Sequence, residues 1–344
     1  MASVLKRRRT LVTVASGAVV LAGLCAAVAT SPGATAKIRC SYVEAGAPGP
    51  AGNVLRIEDE SDSATHIHRQ GDEVVVSSNA EREATACSGG TPTVFNIDQI
   101  EYQTTNSAPF FNYIGSKPLA PGATPEPNGS EIEVLVKEEY EPPVLNVGGT
   151  GGDDSIAVGQ LGPHEIGVNT NVKADGGEPD ADFVIVAPHP SEALVRIVGK
   201  GGNDTITGMG GPEFIGPAPA DRLALSGGIG NDTLIGSPHD DRLRGDAGDD
   251  VVIGGKGGDL IRIGPGRDLA RGGAGPDRIE DFEADAEAAP DRVLGGAGND
   301  TIDVAQHPPL DGDTVDCGPG RRDVASVNRG DHWRACEKVE VEGH

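Results

Sequence analysis

Asp232, Asp241, Asp250, Asp259, Asp268 and Asp277 stand nine residues apart without a break, each behind a glycine-rich stretch. Acidic residues number 53 of 344, so five further acids at one fixed spacing would arise by chance about once in 10,000 trials. A fixed period of this kind marks a solenoid, in which each unit buries its apolar face only against its neighbours. The stretch is therefore not a conventional globular domain, and the scarcity of aromatics, 3% of the chain, agrees.

The clean block runs GGIGNDTLI, GSPHDDRLR, GDAGDDVVI, GGKGGDLIR, IGPGRDLAR and GGAGPDRIE over 227–280. Residues one to five of each unit predict a turn, where glycine supplies positive φ and close backbone approach. Residue six is the acid. Residues seven to nine predict a short strand whose central side chain, Leu234, Leu243, Val252, Ile261, Ala270 or Ile279, points inward while its flanks point out. Two nine-residue halves make one coil of eighteen and two parallel sheets back to back. Asp232, Asp250 and Asp268 then share one column and Asp241, Asp259 and Asp277 another. Adjacent coils lie about 4.8 Å apart, where two carboxylates repel by about 1 kcal/mol in water and about 3.5 kcal/mol at an effective dielectric near 20. Such columns oppose folding unless cations lie among them. Carboxylate and carbonyl oxygens are hard ligands and suit Ca²⁺; the block has no cysteine or repeated histidine for a softer metal.

The register extends to GKGGNDTIT (199–207), to GGAGNDTID (295–303) beyond a five-residue insertion near 281–285, and loosely to GTGGDDSIA (149–157). These units resemble the repeats-in-toxin (RTX), or hemolysin-type calcium-binding, nonapeptide G-G-x-G-x-D-x-U-x, with U a large apolar residue. The resemblance covers 199–303, under half the chain. It implies a right-handed parallel β-roll or β-helix that binds several Ca²⁺ ions between turns, through residue-six carboxylates and turn carbonyls. Matched residue by residue, it points to Asp204, Asp232, Asp241, Asp250, Asp259, Asp268, Asp277 and Asp300, with backbone oxygens at Gly227, Gly230, Gly245, Gly248, Gly254 and Gly257. Ser237-Pro238-His239 and Ile263 depart from the pattern, and Ala270 under-fills its rung.

The net charge of −25 makes nucleic acid and anionic membranes poor partners and cations good ones. Residues 1–36 read as an export signal: Lys6 to Arg9 are basic, 11–28 are apolar, and small-x-small sites follow. Its removal leaves a secreted, more acidic chain with no further membrane insertion expected; attachment at a cell surface is compatible with this. Four cysteines remain after that segment, Cys40, Cys87, Cys317 and Cys336. An even count in an exported chain favours disulfides, and of three pairings sequence proximity favours Cys40–Cys87 and Cys317–Cys336.

The expected organisation is all-β. A β-rich N-terminal region (37–146), with a proline-rich loop at 116–130, leads through a degenerate solenoid (147–198) to the roll (199–303). A disulfide-clamped cap of irregular strands (304–344) follows, with Trp333 in its core. No HExxH, GxSxG or phosphate-binding GxxxxGK[ST] pattern occurs, so no catalytic residue is assigned. The leading expectation is a secreted, non-enzymatic calcium-binding protein whose roll folds on extracellular Ca²⁺. Two alternatives stay open: a calcium-stabilised secreted enzyme, polysaccharide-acting for example, with its site in 37–198, and a surface adhesin or spacer meeting an extracellular protein or glycan.

Overall fold

The computed structural model describes residues 38–342 apart from 44–53, 60–64, 71–72, 79–84, 86, 90–91, 93–98, 105–109, 114–132, 139–143, 171–182, 187–192, 212–213, 220–221, 282–288 and 306–311. The export signal and the proline-rich stretch at 116–130 therefore lie outside the described residues. The rest are strands and turns, arranged in one sheet of 15 strands and another of 12.

Within the repeats, period and pairing agree. Thr233–Ile235, Val251–Lys256 and Leu269–Ala274 stack in parallel in one sheet at an offset of eighteen, Thr233 on Val251 on Leu269. Arg242–Ala247, Leu260–Arg262 and Arg278–Glu280 do the same in the other, Arg242 on Leu260 on Arg278. One inward side chain per rung builds the core. Ile206, Leu234, Val252, Ala270, Val293 and Val315 form one line, and Ile197, Leu225, Leu243, Ile261, Ile279, Ile302 and Ala325 the facing one, all buried. All six side chains expected inside are inside. Burying each Leu, Ile or Val contributes about 1.5–3 kcal/mol, which a single nine-residue unit could not gain alone.

The same two sheets continue through both flanks. Val54–Asp59, Gln99–Thr104 and Glu133–Glu138 stack in parallel in the first sheet. Thr65–Gln70, Phe110–Tyr113, Val144–Gly148 and Leu194–Gly201 do so in the second. Coils are longer here, so no nine-residue period announces them. At this end the outer strands Ile38–Val43 and Glu73–Ser78 pair antiparallel with their neighbours, and Cys40–Cys87 forms as proximity suggested. A further antiparallel element, Glu165–Asn169, lies between Ser155–Gly162 and Phe183–Val186.

The C-terminal segment differs from expectation in two respects. Its strands are regular: Thr314–Asp316 and His332–Arg334 continue one sheet, Val324–Asn328 and Lys338–Glu342 the other, all in parallel register. The Cys317–Cys336 bridge joins the last coil to the one before it. Trp333, placed in a cap core by its size and apolarity, is 41% exposed. It stands in register with the buried Val315, but on the last strand of its sheet, where no further coil covers the ring.

Candidate metal centre

Each turn delivers its aspartate to the seam between two coils, and a backbone amide of the preceding coil holds it there. In the first column, Asp204 N–H donates to Asp232 Oδ1, Asp232 N–H to Asp250 Oδ1 and Asp250 N–H to Asp268 Oδ1, each at 2.7 Å. In the second, Asp241 N–H donates to Asp259 Oδ1 and Asp259 N–H to Asp277 Oδ1, both at 2.9 Å. The six aspartates fall into the two columns of three that the period implies.

Both columns run further than the unbroken period. Asp268 N–H reaches Asp291 Oδ1 at 2.7 Å, Asp291 N–H reaches Asp313, and Asp313 N–H reaches Asp331; at the other end Asp154 N–H reaches Asp204. The second column passes from Asp277 to Asp300 and Asp323. Sequence reasoning did not place Asp154, Asp291, Asp313, Asp323 or Asp331 as site residues. For Asp291, Asp313 and Asp323 the signal was present but shifted, since coils of 22 or 23 residues take them off the nine-residue grid. Asp331 follows Asp313 at the regular eighteen, and Asp154 is separated from Asp204 by a 50-residue excursion.

One oxygen per carboxylate is engaged in this way; the other defines the site. Asp204, Asp232, Asp250, Asp259, Asp277, Asp291, Asp300 and Asp323 each bury an Oδ2 without a hydrogen-bond partner, on side chains no more than 2% exposed. A buried acceptor left unpaired costs about 1–3 kcal/mol, more when charged. Burial drives these carboxyls upward in pKa: Asp204 and Asp277 to about 6, Asp250 to about 7, Asp259 to about 8. The amide donated from the coil before opposes the shift, and neighbouring carboxylates add to it. Asp232, Asp241, Asp291, Asp300 and Asp323 move upward for the same leading reason.

The orphan oxygens face a hollow kept open by glycine. A Cβ built on Gly245 would stand 2.5 Å from Asp250 Oδ2 and 2.9 Å from the Ile263 carbonyl of the next coil. On Gly295 it would stand 2.7 Å from Asp300 Oδ2 and 2.5 Å from the Cys317 carbonyl. Gly199, Gly227, Gly254 and Gly272 hold the same place beside Asp204, Asp232, Asp259 and Asp277, facing the carbonyls of Gly227, Gly245, Gly272 and Gly295. Of the expected backbone oxygens, those of Gly227 and Gly245 thus face these hollows, and that of Gly254 faces the matching place at Gly236, beside Asp241 Oδ2. Those of Gly230, Gly248 and Gly257 instead lie against Gly248, Gly266 and Gly275 of the next coil. Ile263 keeps its carbonyl in the hollow while its side chain enters the core, which explains how a residue other than glycine fits there.

The donor set suits a hard divalent cation. An anionic oxygen and a carbonyl oxygen from successive coils converge within 2.9 Å of one point, and Ca²⁺ takes oxygens at about 2.3–2.6 Å. Among the described residues no three His, Cys, Asp or Glu side chains cluster as a metal cage; each hollow combines one carboxylate with main chain. When bound, the ion would supply the positive charge that a column of buried carboxylates lacks.

The fold and its seams define a parallel β-roll with acid-lined turns. Residues 196–211, 226–261, 263–282 and 284–305 match the RTX calcium-binding nonapeptide repeat, in four copies. The roll between 196 and 305 is built of that repeat, and calcium binding is its general property. No curated protein and no solved structure matches the chain. Paired cysteines and this repeat together suit an extracellular context.

Proposed function

We propose that the chain is a secreted, non-enzymatic calcium-binding protein whose roll completes its folding on extracellular Ca²⁺. The observation that carries this reading is the set of eight buried, unpartnered Oδ2 atoms, each aligned along a coil seam. A folded chain without cations keeps these acceptors out of water with nothing in return. Several ions, one for each hollow where an orphan carboxylate oxygen meets a carbonyl, remove that penalty. Extracellular modules bind Ca²⁺ at about 10⁻⁴–10⁻³ M, and calcium at 100 times Kd adds about 2.7 kcal/mol per independent site.

Among the described residues, the N-terminal coils (38–148) carry no aspartate column and bury an ordinary apolar core of Leu55, Ile57, Ile67, Ile100, Tyr102 and Leu145. They are expected to persist without calcium while the repeats expand. Calorimetric titration of the full chain with CaCl₂, paired with far-ultraviolet circular dichroism with and without chelator, tests the reading. Heat of binding and a calcium-dependent gain of β signal are expected; a chelator-insensitive spectrum with no binding heat at millimolar calcium would overturn it.

A further inference from the structure

The carboxylates of the two columns are not equivalent. Asp154, first in its column, accepts the Thr150 N–H on Oδ2 at 2.6 Å and the Thr150 hydroxyl at 3.1 Å. Asp241, first in the other, accepts the Ser237 N–H on Oδ2 at 2.5 Å and the Ser237 hydroxyl on Oδ1 at 3.2 Å. Neither belongs to the carboxylates with an orphan oxygen. Thr150 and Ser237 both occupy residue two of their nonapeptides, four positions before the acid.

Residue two takes a different backbone conformation in the open rungs. Gly228, Gly255, Gly264, Gly273 and Gly296 all have positive φ, between 108° and 118°. Even Lys200 and Asp246, at the same position, are held at 84° and 72°, in the region L-residues avoid. Thr150 and Ser237 are not among the positive-φ residues. Their peptide is turned so that its N–H enters the hollow, and the hydroxyl follows. At the first rung Lys200 adds a tethered cation: its ammonium donates to the Gly149 carbonyl at 2.6 Å and interacts with the Asp154 charge. At the far end of that column the Asn328 N–H closes Asp331 Oδ2 at 2.6 Å.

We infer that Thr150 and Ser237 seal the first rung of each carboxylate column, so that these rungs take no calcium and each ion ladder starts one rung further on, at Asp204 and at Asp259. The inference rests on the calcium reading above and refines it. Asp241 matches the repeat consensus and stands beside the same glycine-kept place, at Gly236, but Ser237 N–H occupies its Oδ2, while Asp259, the next in its column, keeps Oδ2 unpartnered. Solenoid growth needs a formed coil to stack on. The sealed Asp154 rung, next to the N-terminal coils, supplies that surface, so ion-coupled ordering proceeds from it toward the C-terminus.

Bound calcium, counted by equilibrium dialysis of the full chain against saturating CaCl₂, tests this. Asp241→Asn is expected to hold as many ions as the wild type, whereas Asp259→Asn holds fewer. Ser237→Gly, and Thr150→Gly combined with Lys200→Gly so that the tethered ammonium is removed as well, are expected to hold more than the wild type. An Asp241→Asn loss equal to that of Asp259→Asn, or no gain in either glycine variant, overturns the seal. Should Asp241→Asn fail to fold, the two glycine variants decide alone. A wild type holding no calcium would instead overturn the underlying calcium reading, so the two failures are distinguishable.

Discussion

Replacing Asp250 by Asn separates the two energies that meet at one rung. The side chain is 1% exposed, accepts the Asp232 amide on Oδ1 at 2.7 Å, and leaves Oδ2 unpartnered in the hollow facing the Ile263 carbonyl. Asparagine has the same shape, keeps the Oδ1 acceptor and removes the charge. Without calcium, at pH 8, the ionised carboxylate suffers desolvation with no counter-charge, so the variant is expected to be more stable by about 1–3 kcal/mol. With calcium at roughly 100 times Kd, each ion lost removes about 2.7 kcal/mol of stabilisation. The stability gained between chelator and saturating calcium should therefore shrink by about 2.7 kcal/mol, whatever the absolute stabilities. Urea unfolding followed by circular dichroism measures both states, with sucrose in every sample to populate the folded chain under chelation. A calcium increment unchanged within about 0.5 kcal/mol, or a chelated variant less stable than wild type, would refute the reasoning.

Three further outcomes are expected. Gly245→Ala places a methyl 2.5 Å from Asp250 Oδ2 at a position whose φ is not positive; it should reduce the calcium increment and cost a further 1–3 kcal/mol or so of steric strain. Gly151→Ala, with nothing within 4 Å of the new methyl, should be neutral to about 1 kcal/mol stabilising, and equal losses in the two would count against a hollow at Gly245. For the chelated chain, burial lifts Asp204, Asp250, Asp259 and Asp277 from 3.8 to about 6–8. The folded form then binds more protons than the unfolded one across that window, so stability falls as pH rises from about 4 to 8 and returns on acidification; urea midpoints in chelator that are flat or rise with pH would contradict this. Ile261→Ala opens a cavity in the inner line, where Ile261 is 0% exposed, and should cost about 2–5 kcal/mol; loss of the calcium increment along with stability would show that core and seam are not separable.

Much of the roll was legible because its determinants are local. A glycine turn, an acid and three strand residues specify one half-coil, and strand alternation alone sends Leu234, Leu243, Val252, Ile261, Ala270 and Ile279 inward. The flanks were harder. Val54–Asp59 and Gln99–Thr104 pair in parallel across 45 residues, a separation at which no period survives and strands read only as strands. Trp333 misled because size and apolarity signal burial only where another layer exists to cover the side chain.

The sequence by itself determined that carboxylates would stand in two columns beside two facing inner lines of apolar side chains, since nine and eighteen residues are properties of the coil. Only the tertiary structure decided where the columns begin and end and which members have an oxygen to give. Insertions move Asp291, Asp300 and Asp323 off the grid, yet pairing between coils restores them to the seam. Whether the residue-two amide donates to the aspartate, as at Ser237, goes with a backbone torsion, positive at Gly255 and not at Ser237, that the nine-residue spacing does not specify.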